Sequence, residues 1–367
     1  MVKKNHSPIT IFLTLVSIMN TQETYMKRCL ELAAKGLGSV APNPMVGSVI
    51  VLDGKIIGEG YHQHYGQAHA EVNAINSVEN KELLKKATLY VNLEPCSHFG
   101  KTPPCADLII EHKIPYVVIG TIDSNSMVSG KGIEKLVKAG IDVKTGVLEQ
   151  ECKELNKRFF IFHEKKRPYI ILKWAQTADG FIDAERNVAG TEKALQISNS
   201  ESKKLLHQWR SEEQAIMVGT NTALLDNPSL TVREVQGKNP LRITFDKWLR
   251  IPKEYHLFDK STPTLIFTAN SVATETNLEF VTIDFEKEII PQVLNELYKR
   301  NIQSVIVEGG SQLLNSFIDA NLWDEARVFI SDQEITKGMN APVLNETPFS
   351  KQNISGDELR YYLKKKS

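Results

Sequence analysis

The chain has 367 residues, of which 41% are apolar and 24% charged, with 21 glycines and 15 prolines. These values exclude a disordered, collagen-like or coiled-coil chain, and at about 150 residues per domain they predict two domains. Lysine plus arginine equals aspartate plus glutamate at 44 each, which argues against a protein that coats nucleic acid or inserts at an anionic membrane. A local cationic pocket for one phosphate stays open.

At the N-terminus, Lys3 and Lys4 precede an apolar run from Ile9 to Met19, broken by Thr10, Thr14 and Ser17. The run is too short to span a membrane, and no small-x-small cleavage site follows it. A translation start at Met19 or Met26 is therefore favoured over a secretory signal, with residues 1–20 as an N-terminal extension of a cytoplasmic protein. The spacing of Met26, Leu30, Ala33 and Ala34 predicts a helix over Tyr25–Lys35, ended by Gly36. Val46–Leu52 and Lys55–Tyr61 read as a hairpin about Asp53-Gly54. A helix over 70–77, a strand over 87–93, a Pro/Gly-rich loop over 94–104 and a helix over 105–112 follow. Then come a strand over 116–120, a helix over 133–139, a strand over 141–145 and a last helix over 148–164.

The cluster Glu164-Lys165-Lys166-Arg167-Pro168 marks a boundary, so the expected domains are 21–165 and 166–367. The second half alternates again, with strands at 169–174, 215–219, 241–246, 264–268 and 304–308 and helices at 198–211 and 289–300. Alternation in both halves predicts an α/β sheet in each.

Four cysteines are present: Cys29, Cys96, Cys105 and Cys152. A chain this long without a Cys-dense segment is not organised by disulfides. Cys29 and Cys152 sit in helical patterns and read as small buried apolar groups. Cys96 and Cys105 sit at the ends of the Pro/Gly-rich loop, which suits metal thiolates. With His69 at the start of a helix they make one imidazole and two thiolates, a three-ligand set for Zn2+ that keeps a fourth tetrahedral position for water. Zinc lowers the pKa of such a water to about 7. Glu71, two residues beyond His69, is placed to take the water's proton and return it to departing ammonia. This is the His-x-Glu…Pro-Cys…Cys pattern of zinc nucleobase deaminases, except that eight residues rather than two separate the cysteines. A closed structural zinc site needs a fourth ligand, for which His98 stands only two residues past Cys96.

Asn43-Pro44, Val46-Gly47, His69-Ala70-Glu71 and the run from Leu93-Glu94-Pro95-Cys96 through Lys101-Thr102-Pro103-Pro104-Cys105 resemble the deaminase half of the bifunctional riboflavin-biosynthesis deaminase/reductases. The resemblance implies a cytidine-deaminase-like three-layer α/β/α sandwich. It also implies that Asn43, His62, His98 and Lys101 hold a phosphoribosylamino-pyrimidine. One departure is Asp123-Ser124-Asn125-Ser126, where prolines commonly alternate in that family.

The second half has no Gly-x-Gly-x-x-Gly after a strand, so a Rossmann domain is not indicated. It carries Lys173-Trp174-Ala175-Gln176-Thr177-Ala178-Asp179-Gly180, Val218-Gly219-Thr220-Asn221-Thr222, the stretch Leu225–Arg233, and Val307-Glu308-Gly309-Gly310-Ser311. In this order they resemble the reductase half of the same family, whose fold is like dihydrofolate reductase. That implies NADPH contacts at Ala175, Thr222, Asp226 and Gly310, where free amides at a helix start suit a pyrophosphate. It also implies substrate contacts at Arg210, Leu230, Arg233 and Glu308, the two arginines suiting a sugar phosphate. Gln196 and Lys247 replace an aromatic and a small hydroxyl residue common in the family.

The expected function is zinc-dependent deamination of 2,5-diamino-6-(5-phosphoribosylamino)pyrimidin-4-one. NADPH-dependent reduction of 5-amino-6-(5-phosphoribosylamino)uracil then follows. The expected partner is that small molecule, with no nucleic acid and no membrane, and self-association stays open. The alternatives are a zinc deaminase acting on RNA or a nucleotide with a non-catalytic second domain, and a zinc-stabilised binding module.

Overall fold

The computed structural model describes residues 8–99, 103–125, 129–186 and 194–365, with side chains from residue 21 onward. The chain divides into two compact units, Met1–Glu164 and Lys165–Ser367.

The N-terminal unit opens with helix α1 (Pro8–Ala34). It starts well before Tyr25, because nothing after Pro8 breaks it and proline is favoured at a first helical position. The hairpin β1 (Gly47–Leu52) and β2 (Lys55–Tyr61) turns at Asp53-Gly54, both at positive φ as a two-residue I′ turn requires. After α2 (Ala70–Ser77) come β3 (Thr88–Leu93), α3 (Cys105–Glu111), β4 (Tyr116–Thr121), α4 (Lys131–Lys138) and β5 (Asp142–Thr145). The sheet order is β2-β1-β3-β4-β5, with β1 antiparallel to β2 and β3, and β3, β4 and β5 parallel.

Successive strand residues point to opposite faces. Leu89 and Val91 of β3 therefore pack with Ala74, Ile75, Ile109 and Leu136 of α2, α3 and α4. Tyr90 faces the other way, onto Met26 and Cys29 of α1. The result is three layers, α/β/α. The single helix expected over 148–164 is two, α5 (Glu149–Leu155) and α6 (Lys157–Lys165). The break falls at Asn156, whose buried amide accepts from Met45 N at 2.8 Å and donates to Met45 O at 2.9 Å. Main-chain bonds from Asn156 N to Cys152 O at 3.3 Å and from Phe160 N to Asn156 O at 3.0 Å still cross the break, and the side-chain tie to Met45 adds to them.

The C-terminal unit contains β6 (Tyr169–Gln176), β7 (Phe181–Asp183), α7 (Ser200–Glu212), β8 (Ala215–Val218), α8 (Thr220–Asp226), β9 (Leu241–Phe245) and β10 (Thr264–Thr268). It continues with β11 (Leu278–Thr282), α9 (Ile289–Lys299), β12 (Ser304–Val307), α10 (Ser311–Asp319), β13 (Glu325–Ile330), β14 (Met339–Asn340), β15 (Ser350–Ile354) and β16 (Asp357–Leu363). Nine strands form one sheet in the order β11-β10-β9-β8-β12-β6-β13-β16-β15. From β11 to β13 the neighbours are parallel, and β16 and β15 close the edge as an antiparallel hairpin. On one face Leu172, Trp174, Ile243 and Val307 pack with Val293, Leu297 and Phe317 of α9 and α10. On the other, Trp209 of α7 stacks on Phe329, ring centroids 5.4 Å apart.

Candidate active sites

In the N-terminal unit, chain direction brings three ligating side chains together. His69 caps α2, Cys96 follows β3 and Cys105 opens α3. His69 Nδ1 lies 3.3 Å from Cys105 Sγ and 3.6 Å from Cys96 Sγ, and the three ligand atoms fall within 4.8 Å of one another. The Cys105 amide, one of the free N–H groups at the start of α3, donates to Cys96 Sγ at 3.3 Å. A hydrogen bond from the Cys105 thiol, with His69 adding to it, drives Cys96 well below the ordinary thiol range, and the same contact pushes Cys105 up. A divalent cation bound here would take both sulfurs as thiolates. Two thiolates and an imidazole are a borderline-soft set that fits zinc.

Glu71 sits in the first turn of α2, 3% exposed. Burial pushes its carboxyl up to about 7, with the charge of His69 opposing. His62 is buried, with Nδ1 3.0 Å from the Ala68 carbonyl and Nε2 3.1 Å from Asn43 Nδ2. Its ring meets His69 edge-on, centroids 5.3 Å apart. Asn43, before β1, and His62, after β2, thus come up beside His69 from two separate segments. His98 is exposed and is not among the converging ligands. Lys101 lies outside the described residues. All four cysteines are free thiols, with Cys29 and Cys152 fully buried.

In the C-terminal unit a cavity of about 1240 Å3 crosses the carboxyl ends of β9, β8, β12 and β6. That is where ligands bind open parallel sheets. Ala175, Thr222, Asp226, Glu308 and Gly310 line it. Gly309 and Gly310 take φ of +121° and +74°, and a Cβ on Gly310 would stand 3.1 Å from Thr222 Oγ1. Bare backbone here leaves the first amides of α10 open toward the cavity, which fits a pyrophosphate. The volume exceeds the usual ~300–1,000 Å3 of small-ligand pockets and suits a dinucleotide.

Arg210, Leu230 and Arg233 do not line the cavity. Arg210 reaches it through Glu308, with Nε to Oε1 at 2.9 Å and Nη2 to Oε2 at 2.7 Å. Leu230 is buried at φ +54°. Arg233 is exposed, its Nη1 donating to Thr231 Oγ1 at 2.8 Å and its amide to His207 Nδ1 at 3.1 Å. Sequence reasoning missed Arg186. Its Nη2 donates to Asp226 at 2.7 Å and its guanidinium also pairs with Asp183, all three on the cavity wall. The Asp-x-x-Arg spacing at 183–186 was the available signal. Of the two departures, Gln196 lines the cavity with its amide donating to Ser198 O at 2.8 Å, and Lys247 pairs with Glu286 at 2.8 Å.

Residues 19–121 match the family model for the cytidine and deoxycytidylate deaminase zinc-binding region, and residues 168–333 match that for the RibD C-terminal domain. Riboflavin biosynthesis protein RibD of Aquifex aeolicus is 42% identical over 328 residues, 88% of this chain and 90% of that protein. The chain belongs to the RibD family. RibD of Bacillus amyloliquefaciens is 40% identical over 345 residues, 92% of this chain and 88% of that protein. The crystal structure of a diaminohydroxyphosphoribosylaminopyrimidine deaminase/5-amino-6-(5-phosphoribosylamino)uracil reductase from Thermotoga maritima is 38% identical, with a TM-score of 0.84. The match covers 94% of this chain and 99% of that one. As in RibD, a zinc-binding deaminase domain is joined to a reductase domain. Among the described residues no helix is long and apolar enough to cross a membrane.

Proposed function

We propose that the N-terminal unit deaminates 2,5-diamino-6-(5-phosphoribosylamino)pyrimidin-4-one and that the C-terminal unit reduces the resulting 5-amino-6-(5-phosphoribosylamino)uracil to its ribitylamino form. The observation that carries the reading is the convergence of His69, Cys96 and Cys105 beside a buried carboxyl, Glu71, that is not one of the ligands.

His69, Cys96 and Cys105 hold Zn2+ in this reading. When bound, Zn2+ supplies the Lewis acidity that makes water nucleophilic near neutral pH, and NADPH supplies the reducing hydride. Glu71 takes the proton of the attacking water as the ring C–O bond forms. It returns that proton to the amino nitrogen as the C–N bond breaks and ammonia leaves. Asn43 and His62 orient the pyrimidine, and His98 and Lys101 hold its ribose phosphate. In the C-terminal unit Ala175, Thr222, Asp226 and Gly310 seat the cofactor. Glu308, held by Arg210, faces the substrate from the cavity wall, and Arg233 takes its phosphate. The assigned domains are 21–165 and 166–367. Reduced thiolates and NADPH suit the cytoplasm.

The test combines three measurements on the full chain. These are zinc content, ammonia released from the diaminopyrimidine phosphate, and NADPH oxidised with the deaminated product. One equivalent of zinc and both activities are expected, and Cys105→Ser loses most of the zinc. Ammonia released from adenosine in RNA but not from the pyrimidine would overturn the reading.

A further inference from the structure

Glu94 is the first residue after β3, two residues before Cys96, and is 4% exposed. The chemistry above gives it no part, yet its two oxygens accept four backbone N–H groups. Oε2 accepts from Gly130 at 2.9 Å and from Asp123 at 3.3 Å. Oε1 accepts from Gly132 at 2.9 Å and from Ile133 at 3.3 Å. Gly132 and Ile133 lie in the first turn of α4, where free amides and the helix dipole favour a carboxylate. Asp123 follows β4, and the Glu94 amide donates to Thr121 O of β4 at 3.0 Å.

One buried side chain thus ties the end of β3 to the end of β4 and to the start of α4. Between it and the ligand Cys96 stands only Pro95, whose ring fixes φ. The packing is tight from the other side too. A methyl group on Gly132 would collide with the Pro95 carbonyl oxygen and stand 3.1 Å from Glu94 Oε1.

We propose that Glu94 is a positioning residue for the metal-ligand set: its clamp on α4 and the β4 end fixes where Cys96 Sγ stands relative to His69 and Cys105. The inference rests on the reading of those three as zinc ligands. A carboxylate offers acceptor sites to all four donors, whereas glutamine offers one oxygen and turns an NH2 group toward N–H groups it cannot satisfy. The Pro95-Cys96 segment then loses its anchor while every ligand atom is kept.

The experiment compares the zinc-loaded full chain with Glu94→Gln and Gly132→Ala, each also prepared with Co2+ in place of zinc. Outer-shell partners of metal ligands are worth roughly 10–100-fold in metal affinity or activity. Zinc loss to a chelator is therefore expected to be faster by about that factor in both variants. The Co2+–thiolate absorption shifts, and deaminase kcat falls while KM for the pyrimidine stays near wild type. NADPH oxidation with deaminated substrate serves as the internal control and stays unchanged. Gly132→Ala retains the carboxylate and carries the test if Glu94→Gln precipitates. Variants that keep zinc, the wild-type cobalt spectrum and wild-type kcat overturn the proposal alone. A wild-type chain that takes up no zinc overturns the ligand reading and the proposal with it.

Discussion

Arg210 and Glu308 meet as a bidentate ion pair, from α7 and from the end of β12, with side chains only 10% and 7% exposed. Lys173, also buried, stands near both, and burial pushes its ammonium below the ordinary lysine range while Glu308 opposes the shift. Removing one member of such a pair leaves an uncompensated charge. Arg210→Ala is expected to cost about 3–5 kcal/mol of stability in the C-terminal unit, and Arg210→Ala with Glu308→Gln less than that. Urea unfolding followed by tryptophan fluorescence checks it. A single variant as stable as wild type would show that Glu308 finds another partner.

The same pair sets a pH dependence. Burial alone would raise the Glu308 carboxyl, but the charge and hydrogen bonds of Arg210 outweigh it and hold the group below its ordinary value. A carboxyl depressed in the folded state adds stability above the unfolded pKa of about 4.3, and loses it as pH falls through the folded value. Below about pH 5 the unfolding free energy of wild type should therefore drop more steeply than that of Glu308→Gln. Parallel curves would remove Glu308 from the acid sensitivity.

Glu71 is buried beside the ligands but is not one of them. Glu71→Gln should retain zinc and lose deamination by roughly 10²–10⁴-fold, with reduction of pre-deaminated substrate untouched. Elemental analysis and the two assays separate these effects. A parallel fall in both activities with zinc retained would contradict two independent sites.

Gly310 takes φ +74°, and its missing side chain faces the Thr222 hydroxyl. An L-residue in the left-handed region costs roughly 1–2 kcal/mol. The added methyl also needs Thr222 to give way. Gly310→Ala should raise KM for NADPH about tenfold and leave deamination alone. Steady-state NADPH titration is the check, and an unchanged KM would move the pyrophosphate elsewhere on the cavity wall.

Arg233 is exposed, its Nη1 donating to Thr231 Oγ1 and its backbone amide to His207 Nδ1. If substrate phosphate covers it, losing that arm costs at least about 2 kcal/mol, or roughly thirtyfold in reductase KM. Arg233→Ala with unchanged kinetics would return it to the role of a solvated turn residue.

The deaminase ligands were legible in the chain because each stands at an element boundary that local sequence announces. Pro104 precedes Cys105, Pro95 precedes Cys96, and His69 precedes the amphipathic turns of α2. Asp53-Gly54 set its hairpin for the same local reason. Cys96 and Cys105, nine positions apart, can be brought together by one loop and one helix start.

Tertiary structure decided what depends on partners far along the chain. Arg210 read as a phosphate ligand, yet its guanidinium is committed to Glu308, 98 positions away, because β8 and β12 are neighbours in the sheet. Asn156 sits in a helical pattern, yet its side chain is taken up by Met45, 111 positions back, at the junction of α5 and α6. Glu94 looks like one more loop acid until β4 and α4 turn four amides toward it. Helical and strand periods report only neighbours within a few residues. A buried charge instead takes whichever donors the sheet order delivers, because leaving it unpaired out of water costs more than any local preference.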